Sequence, residues 1–188
     1  MILQGNGFTL RNWRLTDAGS MQRNADNPMV ARYVSDRFPS PYTMADAETW
    51  VQRWQGQDPV INFAIATDDE VIGGIGLEFR AHIYRKTPLL GYWLAEHYWG
   101  RGIMPQAVKL IVNYAFSQLD VIAIQANTFG GNVASMRVLE KAGFERQGII
   151  KQSVIKNGEI MDEHIFAITS PQPLSKGEGP QGKLFYCS

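Results

Sequence analysis

The stretch from Leu89 to Phe116 most narrows what this chain can fold into, because it writes a strand, a tight turn and a helix in direct succession. Leu89 to Leu94 is apolar and aromatic-rich, a strand composition. Trp99-Gly100-Arg101-Gly102 follows as a turn whose glycines let a ligand come close to the backbone. From Met104 onward, Met104, Val108, Ile111 and Ala115 recur at helical spacing, with Ala107, Val112 and Phe116 broadening the stripe. Pro105 falls in the first turn, where its missing N–H costs nothing. Free N–H groups and a positive helix end therefore project from the turn, ready for an anionic phosphate. The Gly-Lys-Ser/Thr ending of a nucleotide P-loop and the third glycine of a dinucleotide fingerprint are both missing, so the phosphate belongs to some other ligand. A turn that carries glycines for geometry alone is the alternative.

A second stretch, Asn132-Val-Ala-Ser135-Met-Arg137-Val-Leu-Glu-Lys-Ala-Gly143-Phe144, reads as a short helix with both ends marked. Asn132 suits an N-cap and Gly143 a terminator. Ala134, Val138, Leu139 and Ala142 are expected inward, and Arg137, Glu140 and Lys141 outward. Capping by itself is enough to account for Asn132, and Ser135 fits an ordinary first turn.

Taken together, the two stretches resemble the GNAT superfamily of acyl-CoA-dependent N-acetyltransferases. Trp99 to Met104 is similar to its Gln/Arg-x-x-Gly-x-Gly/Ala cofactor signature, and the Asn-x-x-Ser helix ending Leu-Glu-Lys-Ala-Gly-Phe is similar to the ribosomal-protein N-terminal acetyltransferase branch. The resemblance extends upstream to Leu10-Arg11-Asn12-Trp13 and to Asp36-Arg37-Phe38-Pro39 with Pro41-Tyr42-Thr43, and covers about residues 8–168. Two departures stand out. Met104 replaces the signature's last small residue, and Leu139 occupies the place where many members carry a tyrosine general acid.

The resemblance implies an α/β (α+β) fold with a mixed, largely antiparallel sheet of roughly seven strands flanked by helices. The strands near 89–95 and 121–128 would part to admit pantetheine. It implies acetyl-CoA as cosubstrate, with pyrophosphate on the amides of Gly100, Arg101, Gly102, Ile103 and Met104, pantetheine paired with backbone near Leu94 and Ala95, and Asn132 and Ser135 also among the cofactor-binding residues. The reaction expected is acetyl transfer to a primary amine, a protein N-terminus or a small amine, by direct attack in a ternary complex. A backbone amide near Leu94 is the oxyanion donor, Ser135 steadies the thiolate, and Glu78 is the candidate general base. A non-catalytic acyl-CoA sensor or partner-binding module on the same scaffold is the competing expectation.

Elsewhere the chain is read in order. Phe8 to Trp13 suits a first strand, and Thr16 a cap for a helix running toward Asn24, which Asn27-Pro28 breaks. Met29 to Tyr33 suits another helical turn. The loop Asp36 to Pro41 precedes a helix from Met44 to about Gln55, capped by Thr43, with Ala47, Trp50, Val51 and Trp54 on one face. Phe38 and Tyr42, aromatic and in an irregular loop, are the candidate acceptor-binding residues, against an ordinary proline-stiffened surface loop. Val60 to Thr67 and Glu70 to Phe79 read as a hairpin. Its second strand holds Gly73, Gly74 and Gly76, which weaken a strand unless something must approach the backbone. Alternation puts Glu78 on the face of Gly74 and Gly76; a solvated edge carboxylate is the plain reading and a general base the functional one. Asp120 to Thr128 is a regular strand, and Lys156-Asn157-Gly158 turns a final hairpin.

Lysine plus arginine (18) equals aspartate plus glutamate (18), so no net positive charge recruits nucleic acid or an acidic membrane. No segment approaches the ~20 apolar residues of a bilayer span, and the first residues lack a signal-peptide pattern. His82, His97 and His164 share no short spacing and Cys187 stands alone, so neither a metal site nor an intramolecular disulfide is expected. The expectation is a cytoplasmic protein, monomer or homodimer, with one domain over 1–169 and a disordered tail over 170–188.

Overall fold

A computed structural model describes residues 1–171; from 172 onward the tail expectation, with Cys187, lies outside the described residues. Eight strands form one sheet in the order β1-β2-β3-β4-β5-β6-β8-β7. They are β1 (Ile2–Gln4), β2 (Thr9–Arg11), β3 (Asn62–Ala66), β4 (Val71–Glu78), β5 (Leu89–Leu94), β6 (Ala123–Phe129), β7 (Glu145–Lys156) and β8 (Glu159–Thr169). Every neighbouring pair is antiparallel except β5–β6. The helices are α1 (Ala18–Ala25), α2 (Pro28–Ala31), α3 (Met44–Trp54), α4 (Ile103–Gln118) and α5 (Val133–Lys141).

Amphipathic helices cover both sheet faces. On one face, α4 places Met104, Ala107, Val108, Ile111 and Ala115 against Phe63, Ile65, Ile75, Leu77, Ile124 and Phe166. On the other, α1 and α3 bury Met21, Ala25, Ala47 and Val51 with Trp13, Tyr42 and Trp93. Burying these apolar surfaces is the dominant favourable term for a domain of this size.

Most boundaries fall near their sequence expectations, and the exceptions have local causes. β1 is an additional strand that pairs with β2; three residues carry too little alternation to be read as a strand. Thr16 is not a helix cap. A 3₁₀ turn over Leu15–Asp17 precedes α1, and the Asp17 carboxylate accepts from Arg14 N–H instead. The Thr43 cap is present, reciprocated by Asp46 as a capping box. Ala134 is exposed, because the α5 surface turned to the core is carried by Leu139 and Ala142, with Met136 and Val138 packed against it. The Asn157-Gly158 turn has φ of 52° and 81°, the left-handed pair that joins β7 to β8 tightly.

Glycines 73, 74 and 76 are required by the chain's own packing. A Cβ on Gly73 would lie 2.5 Å from the Trp93 carbonyl, and one on Gly74 would lie 2.7 Å from Trp93 Nε1. One on Gly76 would meet Asn62 Nδ2 at 2.3 Å. What approaches this strand is therefore Trp93 and Asn62, and Asn62 in turn accepts from Trp13 Nε1 at 2.8 Å. Trp50 packs edge-on against Trp13 and at 5.7 Å against Trp54, so this pair belongs to the packing of α3 on the sheet.

Candidate active site

β5 and β6 are joined only at one end. Leu89 pairs with Gln125, Gln125 N–H donates to Pro88 and Ile122 N–H to Lys86, and no further register pair follows. The two strands therefore part toward Leu94, leaving a cleft in the middle of the sheet. Along β5 the backbone groups alternate between neighbours. Ala95 N–H donates to Ile72, so Leu94 N–H, one residue earlier, is turned from β4 toward the cleft. The Leu94 carbonyl, on the same side, accepts from Trp99 Nε1 at 2.8 Å. Ala95 has its own groups engaged, its N–H with Ile72 and its carbonyl with Tyr98 N–H. Of the two residues expected near pantetheine, Leu94 thus has its N–H turned toward the cleft, while the Ala95 backbone groups are engaged within the chain.

The turn beyond β5 opens α4. Gly100 and Gly102 both take φ of 74°, a left-handed conformation that a side chain disfavours. A Cβ on Gly100 would meet nothing within 4 Å, so the space in front of this turn is open. Gly102 is the N-cap of α4 and no side chain caps the helix, so the N–H groups of Ile103 and Met104 have no intrahelical acceptor. Pro105 has no N–H to leave unpaired. Ile103 and Met104 bury their side chains in the core. The methionine at the signature's small position thus points away from the free amides and does not crowd them. Arg101 lies over the Tyr98 ring, 5.0 Å from its centroid. An open, glycine-lined helix N-terminus suits a diphosphate.

On the opposite wall, Asn132 Oδ1 accepts from Ser135 N–H at 3.2 Å, the N-cap of α5. Its side-chain oxygen is spent on the cap, and the side-chain amide N–H groups take no part in it. Ser135 Oγ lies 2.7 Å from Tyr92 Oη, so a β5 side chain reaches across to the first turn of α5. Burial pushes the Tyr92 phenol up to about 12 despite the opposing effect of its contact with Ser135. Tyr92 was not among the residues expected at the site. As an aromatic in an apolar strand it carries no signal beyond β propensity.

The sheet face beneath α1 and α3 holds the acceptor-side candidates. Gly91 pairs with Gly76 across β4–β5, is exposed, and a Cβ there would meet nothing within 4 Å. This leaves a side-chain-free floor at the closed end of the cleft. Phe38 packs 4.8 Å from Tyr42 and 5.8 Å from Trp93. Tyr42 itself is 3% exposed, so it backs Phe38 from the core instead of presenting a surface. Its phenol is held well above the ordinary range, chiefly by burial and then by Asp46. Glu78 ends β4, exposed, and receives both terminal nitrogens of Arg37 at 3.1 and 2.6 Å. That hydrogen bonding, ahead of the charges of Arg37 and Arg53, holds its carboxyl below the usual range against the opposing effect of burial. Nothing local in the sequence signalled the pairing, since the two lie 41 residues apart. Lys156, at the tip of the β7–β8 hairpin, reaches back to Asp36 of the same loop at 2.7 Å.

An open groove of about 540 Å³ between Pro59, Ile61, Phe79, Lys86 and Leu119 lies at the far end of α4 and includes none of these residues. Among the described residues, no three His, Cys, Asp or Glu side chains gather to hold a metal ion. No described helix is long and apolar enough to cross a membrane.

Comparison with known proteins agrees with this geometry. Residues 8–145 match the family model described as "Acetyltransferase (GNAT) domain". The chain is 34% identical over 179 residues to "Probable N-acetyltransferase YjcK" of Bacillus subtilis (strain 168), covering 90% of this chain and 98% of that one. It is 29% identical over 162 residues to the [Ribosomal protein uS5]-alanine N-acetyltransferase of Escherichia coli (strain K12), covering 85% and 82% of the two chains. Among solved structures, a RimL ribosomal L7/L12 alpha-N-protein acetyltransferase in complex with coenzyme A superposes with a TM-score of 0.76 at 19% identity, over 90% of this chain and 98% of that one. A parted β5–β6 pair, an uncapped glycine turn before α4, and relatives that match nearly end to end lead to one conclusion: the chain belongs to the GNAT acetyltransferase family and is an acetyl-CoA-dependent N-acetyltransferase.

Proposed function

We propose that this enzyme acetylates a primary amine, a protein or peptide N-terminus or a small amine, by direct attack on acetyl-CoA in a ternary complex. The observation that carries the reading is Leu94 N–H, turned into the cleft and close in sequence to the open helix N-terminus. The amides of Gly100 to Met104 would hold the diphosphate, and Leu94 N–H would pair with the donor or stabilise charge developing on its carbonyl oxygen. Relatives named for ribosomal-protein acetylation favour a peptide amine among the acceptors.

In this reading the amine crosses the floor at Gly76 and Gly91, with Phe38 as one wall. It must lose a proton before attack, and Glu78 is the candidate base, directly or through water. The pairing with Arg37 makes Glu78 a weaker base but keeps it ionised at neutral pH. Ser135 hydrogen-bonds the departing sulfur. A large share of the rate comes from holding amine and thioester together, so losing one proton-transfer group slows the reaction without abolishing it.

The test is acetyl-CoA consumption, followed as thiol release, across amines and short peptides, with mass spectrometry of each acceptor. Acceptor-dependent release with a gain of one acetyl group on a primary amine supports the proposal. Acetylation confined to hydroxyl groups, or thiol release with no acetylated acceptor, would overturn it.

A further inference from the structure

We propose that Tyr92 is the positioning residue for Ser135, donating its phenolic hydrogen bond to the serine so that the serine's own proton is aimed at the departing sulfur. The inference rests on the acyl-transfer reading above and adds a residue to it.

The geometry is specific. Tyr92 stands two residues before Leu94 on β5, with Leu90 and Leu94 on the α4–α5 side of the strand. Its hydroxyl lies 2.7 Å from Ser135 Oγ and 3.4 Å from the Ser135 carbonyl, so the short contact is the side-chain one. A serine hydroxyl has one proton to give and lone pairs to accept with. Once Oγ accepts from Tyr92, that proton is left for another acceptor, and the cleft between β5 and β6 lies beside the strand that bears Tyr92. The backbone on each side is fixed: Asn132 caps the turn that carries Ser135, and β4 pairs with β5 at Tyr92 through Ile75. No other side chain is recorded on Ser135 Oγ among the described residues.

Tyr92 acts through Ser135 and does not surrender its proton. A phenol held near 12 lies well above an ordinary thiol at about 8.5, so the departing thiolate is too weak a base to take it. The amine nitrogen forms its bond to the acetyl carbon, and the C–S bond breaks with its electron pair remaining on sulfur. That sulfur accepts from Ser135, and the ammonium proton leaves to the base or to water. Leu139 offers no proton at the position where the resembled enzymes carry a tyrosine, which leaves the thiolate dependent on the Tyr92–Ser135 pair.

The experiment compares Y92F, S135A and the double variant by steady-state kinetics. It adds an ultraviolet titration of the thiol of coenzyme A bound to each protein, using the thiolate absorbance. A hydrogen bond to a charged group predicts about a tenfold loss of kcat in Y92F with KM for acetyl-CoA nearly unchanged. The double variant should be no slower than S135A, and the bound thiol should titrate higher in Y92F than in the parent. A ring-fluorinated tyrosine at position 92, a stronger donor of the same shape, should lower it. Additive losses in the double variant, or a bound-thiol titration unmoved by Y92F and by the fluorinated ring, would overturn the inference. Failure of the unaltered enzyme to bind coenzyme A or to release thiol would instead overturn the acyl-transfer reading, and is seen before any variant is compared.

Discussion

Glu78 and Arg37 form a two-pronged ion pair at the exposed end of β4, with oxygen–nitrogen distances of 3.1 and 2.6 Å. The pair fixes the direction of a pH test. Arg37 lowers the Glu78 carboxyl below its ordinary value, so a rate that needs the ionised group is retained above that lowered value and lost as pH falls through it. Replacing Arg37 with alanine should move the acid limb of kcat/KM upward toward about 4.3. Glu78→Gln should remove the limb and slow the reaction at neutral pH, with little change in coenzyme A affinity. An identical limb in Glu78→Gln would take Glu78 out of the base role. For stability the sign is the same: the pair contributes above the ordinary glutamate pKa and fades as pH falls through the lowered one. With both side chains exposed, that contribution is small.

Gly102 caps α4 with φ of 74°. Valine there would strain the backbone by about 1–2 kcal/mol and put a branched side chain beside the free amides. Gly102→Val is expected to remain folded by circular dichroism and to lose coenzyme A binding by calorimetric titration. Unchanged affinity in a folded variant would rule out the turn as the diphosphate site.

Asp17 is nearly buried and accepts from both terminal nitrogens of Arg11 at 2.8 Å, as well as from Arg14 N–H. Asp17→Ala would leave Arg11, whose side chain is 11% exposed, without its counter-ion. The expected loss is about 3–5 kcal/mol, the cost of a buried charge left unpaired. In a domain of this size that lowers Tm by roughly 10 °C, read by differential scanning calorimetry. A change under about 1 kcal/mol would show the pair to behave like a surface one.

Leu139 is fully buried in the core. Restoring the tyrosine found there in many of the resembled enzymes is expected to fail. Leu139→Tyr adds a larger, polar-tipped side chain to a filled site and should cost about 1–3 kcal/mol. It should not raise kcat, because in the proposed scheme the hydrogen bond from Ser135 already steadies the departing sulfur. A faster, equally stable variant would contradict both expectations.

How far the sequence reached differs from one part of the molecule to another. Strand β5 was legible residue for residue, since an unbroken apolar and aromatic run bounded by Gly-bearing and Pro-bearing turns has few other outcomes. The α4 stripe, the Thr43 capping box and the Asn157-Gly158 hairpin were legible too. Each depends on interactions within a few residues, where side-chain periodicity and backbone preference act directly. The glycine turn falls in the same class, and so does the free helix end behind it.

What joins distant segments had to wait for the fold. The glycines of β4 announced a close approach, but Trp93 and Asn62, which make it, are brought there only by strand register. Tyr42 read as a loop aromatic and became core, because α3 carries it under the sheet with Ala47 and Val51. Glu78 gained Arg37, Lys156 gained Asp36 and Ser135 gained Tyr92 across 41, 120 and 43 residues. Local sequence determined the elements and the glycine turn with its uncapped helix end, because those follow from torsional preference and periodicity. Tertiary structure alone decided which side chains meet at the cleft and with what acidity, because contact and burial depend on packing between segments far apart in the chain.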